Sequence, residues 1–228
     1  GLYLDEAAYG LDALDVLDGN NAIFFERNNG REPLFIYWQA LMMAWLGATP
    51  LALRTGAALI GVATVPALYW LARVWLQNGP LPSRWVATYA ALFLAVSYWH
   101  ISLSRLGFRA ILLPLVACVA LAAFWQAWQR MRNTERLAWP MLIICGVATG
   151  LTLYTYTAGR FVPMVITLMV ALAWVMPQRV GVARRQSFAA LLIIGLVAAL
   201  VFAPLAAYFW SHPQSFFGRA SEVSIFSE

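Results

Sequence analysis

Lysine is missing altogether: all fifteen basic residues of the 228 are Arg, a usage in keeping with a GC-rich bacterial genome. Charge of either sign is scarce. Charged residues make up 11% and apolar ones 62%, against roughly 25% and 45–50% in a soluble domain, which excludes an ordinary soluble fold. Ten-residue strands of alternating polarity are also absent, so an outer-membrane-type barrel is excluded and helices are implied. The two cysteines, Cys118 and Cys145, lie inside apolar runs with no His or acid nearby; they read as packing residues, neither metal ligands nor a disulfide. No metal and no cofactor is expected. An initiator Met and a secretory leader pattern are lacking, and the chain stops in a polar stretch after Phe226, so it is expected to be a piece of a longer protein.

Ionisable residues are also missing from the middle of every apolar run; Arg54, Arg73 and His100 lie at run ends. Ion-coupled transporters and proton pumps keep such groups at the midplane despite a cost of about 2.5–3.5 kcal/mol each on insertion scales, so their absence argues against transport.

What is present is an all-α pattern, a polytopic helical membrane protein of about six spans with amphipathic juxtamembrane helices. Residues 1–51 read as an external segment, 52–209 as the transmembrane bundle and 210–228 as the start of a further external loop. The spans are expected near 52–76, 85–103, 110–129, 139–157, 161–176 and 188–209, each close to the ~20 apolar residues a bilayer requires. Connections holding Arg73, Arg84, Arg130, Arg132, Arg136, Arg179, Arg184 and Arg185 carry one acid, Glu135. Basic residues in short loops mark the cytoplasmic side, which puts these connections inside. The other side holds Arg27, Arg31, Arg54, Arg105, Arg109, Arg160 and Arg219 with the remaining nine acids. Six spans return the chain to its starting side, so both termini are expected outside. Trp75, Trp85, Trp128 and Trp139 at one level, and Tyr98, Trp99, Tyr154, Tyr156, Tyr208 and Trp210 at the other, fit interfacial belts.

Ahead of the bundle, Leu2 to Asn20 is acidic. A helix over Leu4 to Leu17 would put Leu4, Leu11, Leu14 and Leu17 on one side and Asp5, Asp12 and Asp15 on the other, as in a helix lying on the outer surface. Asp12, Asp15 and Asp18 are expected to solvate its exposed face. Asp5 and Glu6 stand apart because acids are favoured in a first helical turn. After a polar loop with Asn-Asn-Gly turn chemistry, PLFIYWQALMMAWLG reads as a short interfacial or re-entrant helix.

Three Arg-bearing stretches belong to the same outer side: GREP with Arg31 and Glu32, SRLGFRA with Arg105 and Arg109, and YTYTAGR with Tyr154, Tyr156 and Arg160. Outward Arg runs against the positive-inside bias. Lipid headgroups or pairing with the outer acids would explain it; so would a phosphate site, for which the guanidinium fork is suited.

The succession LDEAAYGLDA, NNGREPLFIYWQALMMAWLG, ALRTGAALIGVATVPALYWLARVWL, SRLGFRA and LTLYTYTAGRFVP resembles the GT-C membrane glycosyltransferases. Among these it is most similar to glycosyltransferase family 39, relatives of protein O-mannosyltransferases and lipid A aminoarabinose transferases. The resemblance implies a polyprenyl-phosphate-linked sugar donor, an inverting transfer to a lipid, glycan or protein acceptor, and a further span just upstream of Gly1. It implies Asp5 as catalytic base with Glu6 beside it, and Arg105, with Arg109 as a second candidate, near the donor phosphate. Arg31 and Glu32 would stand at the cavity entrance and Tyr154, Tyr156 and Arg160 would line it. Where several relatives carry an acid a few positions after that Arg, this chain has Ala110 and Ile111. The expected setting is a bacterial inner membrane, multi-pass, with the site on the periplasmic or extracellular side and membrane lipids as neighbours; no nucleic-acid partner is expected. A transporter or flippase of lipid-linked substrates, and a non-catalytic scaffold, are the alternatives.

Overall fold

Two interior proline positions and a handful of tight glycine contacts shape a bundle of helices. The computed structural model describes residues 2–27, 30–175 and 182–215. Arg179, Arg219, Glu222, Glu228 and the other residues after 215, expected as the start of an external loop, lie outside those residues.

Helix α1 (Leu4–Leu17) and helix α2 (Leu34–Leu46) precede the bundle. Helix α3 (Pro50–Trp75) begins with Pro50 in the first turn and with Thr49 Oγ1 accepting from the Ala52 amide at 3.3 Å, a capping arrangement that satisfies one of the orphan N–H groups of the helix start. Its 26 residues extend for about 39 Å at 1.5 Å per residue, ample for a bilayer core of about 30 Å. Helices α4 (Ser83–Ala95) and α5 (Tyr98–Arg105) form an apolar pair bent by 53° at Val96 and Ser97, the shape of a broken span or a re-entrant loop. A 3-10 turn over Arg109–Ile111 leads into α6 (Leu112–Thr134), which Glu135 terminates with a left-handed φ of 55°. Helix α7 (Trp139–Thr152) follows; a second 3-10 turn, Thr157–Arg160, leads into α8 (Phe161–Val175), and the last long helix is α9 (Arg184–Ser211).

Each of the six apolar runs is thus helical. Among the described residues four continuous segments are long and apolar enough to cross a membrane, or five if the bent α4–α5 pair is one span. The run expected over 139–157 differs: α7 stops at Thr152 after 14 residues, about 21 Å, and the chain turns before α8. The protein is a multi-pass helical membrane protein.

Small residues set the closest helix contacts. A Cβ on Gly146 would stand 2.6 Å from Val197 Cβ and one on Gly150 2.7 Å from Val201 Cβ, so this pair, four residues apart, lets α7 and α9 touch backbone to side chain, as small-residue stripes do in membranes. Gly61 does the same for α3 against Ser104 of α5, at 2.6 Å; beside it His100 Nε2 contacts Gly61 O at 3.0 Å. The main core joins α6, α7, α8 and α9 through Phe124, Trp128, Leu142, Cys145, Val170 and Ile194. Trp128, expected at an interfacial belt, is instead 4% exposed within that core, whereas Trp75, Trp85 and Trp139 are exposed. A second core of Tyr9, Phe35, Ala57, Ile60, Ile111 and Leu112 fastens α1 and α2 to α3 and α6.

Alternation of the spans gathers the start of α3, the α5–α6 turn, the α7–α8 turn and the end of α9 at one end of the bundle. The opposite end holds Arg73, whose Nη1 donates to Ser83 Oγ at 2.8 Å, and Gln186, whose amide donates to the Glu135 carbonyl. Among the described residues the two sets of Arg connections therefore fall at opposite ends.

Candidate active site

Helix α1 packs with its polar side inward. Its leucines Leu4, Leu11, Leu14 and Leu17 are exposed, while Glu6, Tyr9, Gly10, Asp12 and Ala13 are buried. The expectation that Asp12 solvates an open face is therefore corrected: Asp12 is 1% exposed and accepts from Arg31 Nη1 at 2.8 Å and from Arg27 Nη1 at 3.2 Å. The reason is the surroundings. On a helix that meets lipid or headgroups, the apolar stripe turns away from the protein and the acids turn toward it. Burial pushes the Asp12 carboxyl above its ordinary pKa, although Arg31 and Arg27 both pull the other way. Asp15, expected to solvate an open face, is half-buried and pairs with Arg27 at 2.9 Å, while Asp18 is exposed.

The two acids of the first turn separate sharply. Asp5 is partly buried. Glu6 is 2% exposed and its two oxygens take the fork of Arg54, Nε to Oε1 at 2.9 Å and Nη2 to Oε2 at 3.2 Å, while Oε2 also accepts from the Tyr3 amide at 3.3 Å. Such two-point guanidinium contacts are the strong form of charge-assisted hydrogen bond. Against the same carboxylate lies the α5–α6 turn, where Gly107 adopts φ +64° and a Cβ would stand 3.4 Å from Glu6 Cγ.

A second buried pair ties the remaining loops. Arg109 Nη1 donates to Glu32 Oε2 at 2.9 Å, Thr157 Oγ1 donates to Glu32 Oε1 at 3.3 Å, and the Arg109 guanidinium lies 5.2 Å from the centre of the Tyr156 ring. One carboxylate thus joins the loop before α2, the turn before α6 and the turn before α8. The loop itself closes as a short antiparallel bridge between Phe25 and Arg31, with Gly30 at φ +77°, where a Cβ would sit 2.5 Å from the Phe24 ring. Phe24 packs on Tyr208 and Phe209 of α9, and Tyr208 donates to Glu26 Oε1 at 2.8 Å.

Of the residues expected at the site, Glu32, Arg109 and Tyr156 meet directly. Glu32 and Arg160 also line one cavity of about 240 Å³ with Leu153, Met164, Phe202 and Phe209. Arg31 does not reach that cavity; it is 1% exposed, held by Asp12 and lying 4.8 Å from the Tyr9 ring centre. Tyr154 is occupied elsewhere. Its hydroxyl donates to Val201 O at 2.8 Å and accepts from the Leu205 amide at 3.3 Å, filling the break that Pro204 makes in the α9 ladder. Its carbonyl accepts from the first amide of α2, Leu34, at 3.2 Å. Arg105 is exposed, two residues before Gly107. Sequence reasoning missed Arg54, read as a span end, and Thr157; the only signal was an Arg in the first turns of a span whose side also carried unpaired acids. Among the described residues no three His, Cys, Asp or Glu side chains are placed to hold a metal ion.

Chemically, this end offers a partly buried carboxylate, an exposed guanidinium and a cavity with Arg160 on its wall, beside the ion pairs of Glu6 with Arg54, Asp12 with Arg31 and Glu32 with Arg109. Comparison with known proteins bears on what that is for. The family model described as dolichyl-phosphate-mannose-protein mannosyltransferase matches residues 30–216, a stretch that includes Arg31, Glu32, Arg105, Arg109, Tyr154, Tyr156 and Arg160 and begins after Asp5 and Glu6. An undecaprenyl phosphate-alpha-4-amino-4-deoxy-L-arabinose arabinosyl transferase 2 of Sodalis glossinidius (strain morsitans) is 29% identical over 153 residues, 65% of this chain and 25% of that protein. The chain thus spans about a quarter of the length of that relative. No solved structure matches it.

Proposed function

The chain belongs to the dolichyl-phosphate-mannose-protein mannosyltransferase family, and from that premise we propose that it is part of a membrane glycosyltransferase that moves a sugar from a polyprenyl-phosphate donor to an acceptor hydroxyl. The observation that carries the reading is the family match across 30–216, laid over a bundle end where Arg-bearing turns and an acidic helix meet. The aminoarabinosyl transferase likeness supports a lipid-phosphate donor.

In the proposed mechanism Asp5 is the base. The acceptor oxygen attacks the anomeric carbon and gives its proton to the Asp5 carboxylate. The bond from the anomeric carbon to the donor's phosphate oxygen breaks, and its electron pair leaves with the polyprenyl phosphate, which inverts the anomeric configuration. A phosphate is already a good leaving group, so a guanidinium that stabilises its charge replaces a general acid; Arg105, exposed at the end of α5 where the α5–α6 turn begins, takes that role. Asp5 suits the base role because it is partly buried beside the fixed Glu6, at the bundle end where the Arg turns gather. That end is assigned to the outer face of a bacterial inner membrane, on the clustering of Arg at the opposite end.

The test is transfer from a defined polyprenyl-phosphate-linked sugar by the full-length protein. Asp5→Asn is expected to abolish turnover with membrane insertion intact; full retained turnover would sink the base assignment.

A further inference from the structure

We propose that Glu6 is a positioning residue, which acts through Arg54 and the Gly107 turn to hold Asp5 against the turn that bears Arg105, and does not itself take a proton. This rests on the reading of Asp5 as the base. Adjacent acids look interchangeable in a sequence, but successive residues of a helix point about 100° apart. With Glu6 turned into the protein at 2% exposure, Asp5 falls at the edge of the buried face. Both Glu6 oxygens are held by the Arg54 fork, so the carboxylate is committed to that contact and is not turned toward an acceptor hydroxyl.

The geometry of the tie explains its use. Arg54 is 48 residues further along the chain, on α3; the Tyr3 amide belongs to the lead-in of α1; Gly107 belongs to the α5–α6 turn. Three separate segments meet at one carboxylate, and Asp5 is bonded to the residue that carries it. Gly107 sits at a left-handed φ that other residues adopt with strain, and a Cβ there would meet Glu6 at ordinary van der Waals distance. Any change in the Glu6 to Arg54 contact therefore moves Asp5 relative to Arg105. A shift on the order of 1 Å in a reacting group costs about 100-fold in rate.

The experiment uses the full-length enzyme with a polyprenyl-phosphate-linked sugar and compares Glu6→Gln, Arg54→Gln and the double variant. Each single change is expected to lower kcat by about 10- to 100-fold with donor KM within about threefold, and the double variant is expected to be no worse than the poorer single one. The acidic limb of the pH profile of kcat should persist in Glu6→Gln. Multiplying losses, an unchanged kcat, or disappearance of that limb would each overturn the proposal. If Glu6→Gln does not fold, Arg54→Lys decides, because it keeps the charge on a half-exposed side chain and removes the fork; wild-type turnover there also overturns it. Asp5→Asn measured alongside separates the two readings: full turnover topples the base assignment, whereas a dead Asp5→Asn with independent Glu6 and Arg54 effects overturns the positioning role alone.

Discussion

Neutralising Glu32 should cost far more than its place in a surface loop suggests. Its partner Arg109 is 2.9 Å away and the two side chains are 7% and 3% exposed. At that distance and an effective dielectric of about 20 the gross attraction is about 6 kcal/mol. Much of this offsets desolvation, so the measurable quantity is the cost of breaking the pair, about 3–5 kcal/mol when one buried partner is removed. Glu32→Ala should approach that range. Glu32→Gln should fall lower, at about 2–4 kcal/mol, because its carbonyl still accepts from Arg109 and the Tyr156 face keeps a contribution of about 0.5–2 kcal/mol. The double variant Glu32→Gln with Arg109→Gln should lose at least ~1 kcal/mol less than the sum of the singles, since neither leaves a bare charge. The control is Asp15→Asn, which removes a pair whose side chains are 37% and 52% exposed and should cost under about 1 kcal/mol. Denaturant titration of the detergent-solubilised protein reads these four and the Arg109→Gln single. A Glu32→Gln loss no larger than that of Asp15→Asn, or strictly additive singles, would refute the argument.

Other outcomes follow from single contacts. Tyr154→Phe removes the hydroxyl between Val201 O and the Leu205 amide and should lower stability by about 1–3 kcal/mol in the same titration, because two backbone groups beside Pro204 lose their partner. Gly159→Ala should yield no folded protein in detergent by size-exclusion profile, since its Cβ would lie 2.0 Å from Thr152 O, while Gly195→Ala, with open space around it, should behave as wild type. Asp12 has a folded-state pKa raised by burial, so the folded state holds a proton where the unfolded chain has released it. Stability from this group rises as pH falls through the raised value and levels off below the ordinary carboxylate value. Asp12→Asn should lack that increment, which the pH dependence of the thermal midpoint would reveal.

The helices were legible because lipid imposes long apolar runs, and α1 was legible to the residue because its acids and leucines alternate with helical period. Its facing was not. Periodicity tells which residues share a side but not which side meets the protein, and a membrane surface reverses the rule learned from soluble cores; hence Asp12, assigned to solvent, is buried against Arg31. The break at Val96 and Ser97 and the early end of α7 at Thr152 were hidden because hydropathy runs on through both. Tyr154 was placed in the site by its neighbours, whereas the structure uses it to mend the helix that Pro204 interrupts. Pairings such as Glu6 with Arg54 join residues 48 apart, and nothing local in the chain records them.

Those pairings also decide between the two explanations for Arg at this end. Arg27, Arg31, Arg54 and Arg109 each contact a carboxylate, so ion pairing accounts for four cations that would otherwise invite a phosphate. It accounts in particular for Arg109, the second candidate for the donor phosphate, which is 2% exposed and committed to Glu32. Arg105 differs: it is exposed, lies beside the Gly107 turn, and has no ion pair among the described residues. A phosphate-binding guanidinium must be reachable and must not leave a buried acid behind when it turns to its ligand. Only Arg105 of these two meets both conditions. The separation is measurable: Arg105→Ala should weaken donor use with the denaturation curve unchanged, while Arg109→Ala should shift the curve first, and the reverse pattern would return the role to Arg109.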